Sequence, residues 1–278
     1  MIVRAEGYTL DDRILALLER FSQMTRPLLQ FAGVDANADY LGERLLRLHD
    51  GRLVHCTRPG VRGGKVPYVY SLARAGAERL AELWKKDRDD LHYYGRKPQI
   101  GAAEFAHRCL CVAAHVSAAR RFGEGLAAWI PAYGRALPDG APPTLLRVAK
   151  GRAIRPDALF VIDRGEPGRM ACALEVLGSD DLQRGHLADL LESHRQAWEL
   201  RLVSSALGVR RDGAGVRDFL SLIAVPDEAM LERWSGTLEQ HAGSAGFVCT
   251  THGTLRRGFS EWRPLLTKVD GQDLETFL

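Results

Sequence analysis

No stretch of this 278-residue chain holds about 18 consecutive apolar residues, and no basic-then-apolar leader opens it. A membrane span and a secretion signal are therefore not expected, and the cytoplasm is the expected compartment. Cysteine is scarce: the five, at 56, 109, 111, 172 and 249, are odd in number and form no Cys-x-x-Cys pair. Reduced thiols in apolar surroundings are therefore the default. There is also no P-loop, no glycine-rich dinucleotide fingerprint after a strand and no Gly-x-Ser-x-Gly elbow, so nucleotide hydrolysis, hydride transfer and α/β-hydrolase chemistry have no local support. Gly123-Glu-Gly125 reads only as a loop. No internal repeat or low-complexity tract is present.

A large excess of either sign is missing, with 38 basic against 35 acidic side chains and a net +3, but the small surplus is unevenly spread. Residues 1–97 carry 17 basic and 13 acidic side chains, and the remainder carries 21 and 22. A basic amino-terminal part joined to a near-neutral remainder suits a nucleic-acid-contacting module attached to a domain with another task. With 46% hydrophobic residues, the chain can fill two ordinary cores. The mixed charge run Lys85-Lys-Asp-Arg-Asp-Asp90 and the irregular Tyr93-Tyr-Gly-Arg-Lys-Pro98 set the expected boundary, giving domains 1–97 and 98–278.

The first of these reads as a winged helix-turn-helix. A helix from Asp11 or Asp12 to Phe21 is followed by a short helix opening at Thr25-Arg26-Pro27, a turn at Gly33, and a helix from Asn37 to His49. In that last helix Leu41, Leu45 and Leu48 recur at i, i+4 and i+7 and gather on one inward face. Asn37, Tyr40, Arg44 and Arg47 fall mostly on the other side, where amide, phenol and guanidinium groups could meet a major groove. Asp50-Gly51 ends it. Strand-like runs 53–57 and 66–72 then flank Pro59-Gly-Val-Arg-Gly-Gly-Lys65, the expected wing, and a helix from Ala73 to Lys86 closes the core. Arg58, Arg62 and Lys65 are the expected backbone-holding cations, since phosphate contacts dominate affinity and make it salt-dependent. Double-stranded DNA is the expected partner, bound by a homodimer on paired half-sites. A winged helix used only to bind protein is the alternative.

Beyond the boundary, a helix over 102–122 precedes short apolar runs at 127–130, 158–162 and 170–177, a long helical stretch over 181–203, a strand at 219–225, a helix from Asp227 to His241 and a strand at 247–250. The overall class is α+β or α/β. The turn Asp163-Arg-Gly-Glu-Pro-Gly168 suits a hairpin, and antiparallel pairing through it would bring Asp157 and Glu175 to the same end of a sheet. Two hard carboxylates there could hold Mg²⁺ or Mn²⁺, with Glu104 as a third ligand, and such an ion can activate water against a phosphodiester. A capping role for Asp157, and a solvent-facing pair of Glu175 with Arg155, are the plainer readings of the same residues. His107, Cys111 and His115 share a helical face and could offer soft ligands, or simply pack. Tyr93-Tyr94 could be compared with a strand-transfer nucleophile pair, but no His-x-His accompanies it, and packing at the boundary is the simpler reading.

At Pro156-Asp157, the hairpin and Glu175-Val-Leu177, the chain resembles the PD-(D/E)xK nuclease superfamily. Joined to an amino-terminal winged helix, it more narrowly resembles the replication-relaxation family of plasmids and integrative elements, which includes relaxase-like mobilisation proteins. The resemblance implies a restriction-endonuclease-like mixed sheet with Asp157 and Glu175 as catalytic and metal-holding residues. One departure matters: Leu177 stands where the family motif has lysine, and a leucine can neither orient water nor balance phosphate charge. Lys150 and Arg184 are the cations that could substitute. The expected function is DNA binding in replication, mobilisation or transcriptional control of a mobile element, with a degenerate nuclease-like domain. The alternative is a Mg²⁺- or Mn²⁺-dependent endonuclease or nicking enzyme.

Overall fold

A computed structural model describes residues 7–59, 66–133, 141–148, 152–163, 168–178, 184–209, 219–242, 246–257, 263–264, 268–269 and 272–273. The chain divides into two compact units, 1–120 and 121–278, both built of helices and strands. The fold is α+β. The division lies at the end of a long helix, carboxy-terminal to the boundary expected at 97.

The first unit begins with α1 (Leu10–Phe21), opened by a reciprocal cap in which the Thr9 hydroxyl accepts from the Asp12 amide and the Asp12 carboxylate accepts from the Thr9 amide. Next come β1 (Gln23–Thr25), α2 (Arg26–Phe31) and α3 (Ala38–Asp50). Thr25 caps α2 with Pro27 in its first turn, and Gly33 turns the chain at φ 99°. The hairpin strands β2 (Val54–Thr57) and β3 (Val69–Leu72) precede α4 (Arg74–Trp84). They form a three-stranded antiparallel sheet in the order β1-β3-β2. Sequence reasoning had no strand at 23–25; three residues are too few to display an alternation, and their pairing with β3 creates the strand. Leu41, Leu45 and Leu48 are buried, as their spacing requires, each worth about 2 kcal/mol of transfer free energy. The helix α5 (Ala102–Phe122) completes this unit up to residue 120.

The second unit is a six-stranded mixed sheet. Its strands are β4 (Leu126–Pro131), β7 (Ala158–Asp163), β8 (Arg169–Val176), β9 (Phe219–Val225), β10 (Gly246–Thr251) and β11 (Arg263–Pro264), with two-residue strands β5 (Leu146–Arg147) and β6 (Ala153–Ile154) paired apart from it. The order is β11-β10-β9-β8-β7-β4. β4, β7 and β8 run as an antiparallel meander, whereas β8, β9 and β10 are parallel. Parallel neighbours need crossovers, supplied by α6 (Arg184–Glu199) with α7 (Leu202–Ala206), and by α8 (Glu228–Ala242). The helical stretch expected over 181–203 is thus two helices, broken where Arg201 takes a left-handed φ of 53°. Leu187, Leu191, Leu231 and Trp234 bring α6 and α8 onto Ile223, Val225 and Phe247 of the sheet. A short α9 (His252–Arg257) and the small hairpin β12 (Lys268–Val269) and β13 (Gln272–Asp273) follow in the carboxy-terminal part.

Candidate nucleic-acid interface and carboxylate pair

The outward side of α3 departs in one respect from the arrangement its sequence suggests. Asn37 is exposed and its side-chain oxygen accepts from the Tyr40 amide at 2.8 Å, capping the helix. Tyr40 is 46% exposed, and Arg47 is exposed one face further along. Arg44, however, is turned into a two-point ion pair with Asp11 at the start of α1, its Nε donating at 2.9 Å. A guanidinium held by a carboxylate in this way braces α1 against α3. The exposed surface of α3 also carries Asp39, Glu43 and Leu46, the last 58% exposed. The amino-acid pattern alone could not reveal this, because Asp11 lies 33 residues upstream.

Among the described residues, Arg58 at the hairpin takes part in no ion pair. Arg58 is exposed, directly follows β2, and stacks over the Tyr68 ring at 5.2 Å. Arg62 and Lys65, expected in a wing, lie outside the described residues. Behind the sheet, His55 Nε2 meets the Tyr94 carbonyl at 2.9 Å, the Thr57 hydroxyl donates to the Pro98 carbonyl at 3.2 Å, and Tyr94 bridges Ala73. Burial raises the Tyr94 phenol above its ordinary value. The Tyr93-Tyr94 pair therefore belongs to the packing of the first unit, with Arg88 over the Tyr93 ring.

In the second unit Asp157 and Glu175 do come together. Ala158 pairs with Leu174, so the antiparallel register sets residues 157 and 175 opposite one another at the end of β7. Asp157 continues that ladder: its amide donates to the Leu174 carbonyl and its carboxylate accepts from the Val176 amide, both at 2.8 Å. The side chain of Asp157, just before β7, thereby holds the last residue of β8. Glu175 is 6% exposed and so is not the solvent-facing carboxylate of the plainer reading. Its Oε1 lies 2.7 Å from Nε2 of His194 on α6, whose Nδ1 is 2.9 Å from the Ser221 hydroxyl on β9. The imidazole thus bridges the carboxylate and the hydroxyl, one ring nitrogen toward each. The order Ser-His-Glu is that of a hydrolytic triad, but Ser221 and His194 are 2% and 1% exposed, which leaves no approach for a substrate.

Neither His194 nor Ser221 was among the sequence candidates, although signals existed. His194 interrupts the apolar face of Leu187 and Leu191, and Ser221 is the single polar residue of Phe219-Leu-Ser-Leu-Ile-Ala-Val225. Leu177, at the motif lysine position, is 5% exposed and packs in the apolar cluster under α6 and α8. Lys150 lies outside the described residues, and Arg184 begins α6. Glu104 belongs to the first unit, where it is exposed and ion-paired with Arg108 four residues on. On the same helix, Cys111 Sγ lies 3.8 Å from His107 Nδ1. His115 is instead buried edge-on against Phe21, with ring centroids 4.4 Å apart.

A family model described as replication-relaxation matches residues 15–182, spanning both the first unit and the strand pair bearing Asp157 and Glu175. The chain belongs to the replication-relaxation family. No curated protein and no solved structure matches it. For this replication-relaxation protein, the family ties its role to the replication or relaxation of a mobile element. Among the described residues no helix is long and apolar enough to cross a membrane.

Proposed function

We propose that the protein binds double-stranded DNA through its first unit, as a winged helix-turn-helix, in the replication or mobilisation of the element that carries it. The observation that carries this reading is the order α1-β1-α2-α3-β2-β3 with the sheet order β1-β3-β2, which puts a capped, exposed helix beside a basic hairpin. Such a helix meets base edges while the hairpin loop follows the backbone. Tyr40 and Arg47 are the base-reading side chains of α3, with Asn37 at its amino terminus, and Arg44 supports the helix from behind through Asp11. Arg58, Arg62 and Lys65 hold phosphates. Two copies on inverted half-sites complete the arrangement.

The second unit, on the same proposal, keeps a nuclease-like sheet without a hydrolytic centre. Support comes from the chemistry of its donors. Mg²⁺ favours several waters around one or two accessible carboxylates, whereas Asp157 is engaged by the Val176 amide and Glu175 is buried against His194. The lysine position is apolar and packed. This donor set does not fit a hydrated catalytic ion.

Incubating the full chain with supercoiled and linear DNA, with Mn²⁺ or with EDTA, tests both halves on one gel. The expected result is retarded, unbroken DNA under both conditions. Strand breakage that requires Mn²⁺ and disappears in Asp157→Ala would make the protein an endonuclease, and absence of retardation would remove the DNA-binding reading.

A further inference from the structure

A cavity of about 470 Å³ opens between the end of β2 and the segment that joins α4 to α5. Its walls are Thr57, Arg58, Lys97, Pro98, Gln99 and Ile100. Two of these six are cations and none is acidic. Among the described residues neither Arg58 nor Lys97 takes part in an ion pair, in contrast to Arg44, Arg74, Arg79, Arg88 and Arg108, each of which lies against a carboxylate. The cavity wall is fixed rather than incidental. Thr57 donates to the Pro98 carbonyl across it, and Ile100 is buried beneath it. Arg58 is held over the Tyr68 ring, and Tyr68 is itself 48% exposed with a phenol able to donate. Lys97 also lies close enough to oppose the upward shift that burial imposes on the Cys56 thiol. β2 is the outer strand of its sheet, so this side is not covered by a further strand.

We propose that this cavity is a seat for the sugar-phosphate backbone of duplex DNA, in which Lys97 and Arg58 hold the phosphate. The proposal rests on the DNA-binding reading above and extends it to a segment outside the helix-turn-helix. Pairing of anionic phosphate with cations that have no internal carboxylate releases counterions from the duplex, the main source of affinity in such complexes. Backbone contacts of this kind set register and carry no sequence information. The space exceeds that of one phosphate and admits the adjoining sugar against Pro98 and Ile100. Lys97 thereby makes the stretch after α4 part of the interface, so the duplex runs across the hairpin as well as along α3.

The test is fluorescence anisotropy of a labelled duplex with the full chain between about 50 and 200 mM salt. Wild type, Lys97→Gln, Lys97→Arg, Arg58→Gln, the double Gln variant and Arg74→Gln are compared, the last removing an exposed cation already paired with Glu78. Loss of one phosphate contact lowers the slope of log affinity against log salt by about 0.9. The expected result is such a drop for each single variant, about twice that for the double, none for Arg74→Gln, and a wild-type slope for Lys97→Arg. Circular dichroism melts check that the variants keep their fold. Wild-type binding with a slope unchanged in Lys97→Gln overturns the seat and leaves the DNA-binding reading standing. Weakened binding without a change of slope also overturns it, because the effect is then structural. Failure of the wild type to bind in a salt-dependent way overturns both.

Discussion

Glu175 is the residue whose setting differs most from its sequence context. Late in an alternating strand it reads as either a metal ligand or a surface carboxylate, yet it is buried and bonded to a histidine on a helix that follows a crossover. Removing one member of a buried polar chain takes a hydrogen-bond partner from its neighbours, which costs about 1–3 kcal/mol. His194→Ala is accordingly expected to lower stability by at least that amount in denaturant unfolding, and Glu175→Gln, which keeps a hydrogen-bonding oxygen, by less. Equal stability of His194→Ala and wild type would show that the chain contributes nothing. His115 offers a second test at this scale. Burial, with help from the Arg20 charge, holds its imidazole well below the ordinary value of 6.5. Below 6.5 the unfolded chain takes up a proton that the folded chain refuses, so its contribution is intact above that pH and is lost as pH falls toward the folded value. His115→Gln should flatten the stability profile below pH 6.5 by up to roughly 1 kcal/mol per pH unit; parallel profiles for variant and wild type would exclude this.

Among the elements, α4 shows how closely a helix can be set on a sheet. A Cβ built on Gly76 would stand 2.2 Å from the Leu53 carbonyl oxygen and 2.7 Å from Leu72 Cδ1. Backbone cannot yield as a side-chain tip can, so Gly76→Ala must move α4 away from the hairpin that carries Arg58. Overpacking of this sort costs about 1–3 kcal/mol, and alanine's better helix propensity returns about 1 kcal/mol at most. A net loss of stability, read as a lower denaturation midpoint, is expected; a midpoint equal to wild type would mean that the helix shifts without cost. The elements themselves were largely legible. Leu41, Leu45 and Leu48 marked the buried face of α3, Asn37 and Gly51 its ends, and the turn at 163–168 the β7–β8 pairing. β1 and the break at Arg201 were not, because both depend on neighbours in space and leave no periodicity.

For the molecule as a whole, the division at residue 120 makes α5 part of the first unit. Within that unit His115 covers the Phe21 edge, Arg108 donates to Gln23 at 3.0 Å, and Arg120 donates to the Phe31 carbonyl at 3.0 Å. A polypeptide of residues 1–97 lacks all three contacts. It is expected to melt lower than one of residues 1–120, since an uncovered Phe21 returns apolar area to water. Calorimetry on both would decide: equal melting temperatures would place the functional boundary at 97, as the composition suggests.

The amino-acid sequence by itself determined the α+β class, the capped helices and basic hairpin of the first unit, the strand pair that aligns residues 157 and 175, and the family. These follow from local periodicity, caps and turns, and from short motifs read along the chain. Tertiary structure alone decided which charges are committed. It spends Arg44 on Asp11 and Glu175 on His194, and leaves Arg58 and Lys97 around a cavity that no carboxylate lines among the described residues. The physical reason is that ion pairs and buried hydrogen bonds form between residues distant in sequence, so the availability of a side chain is a property of its neighbours in space.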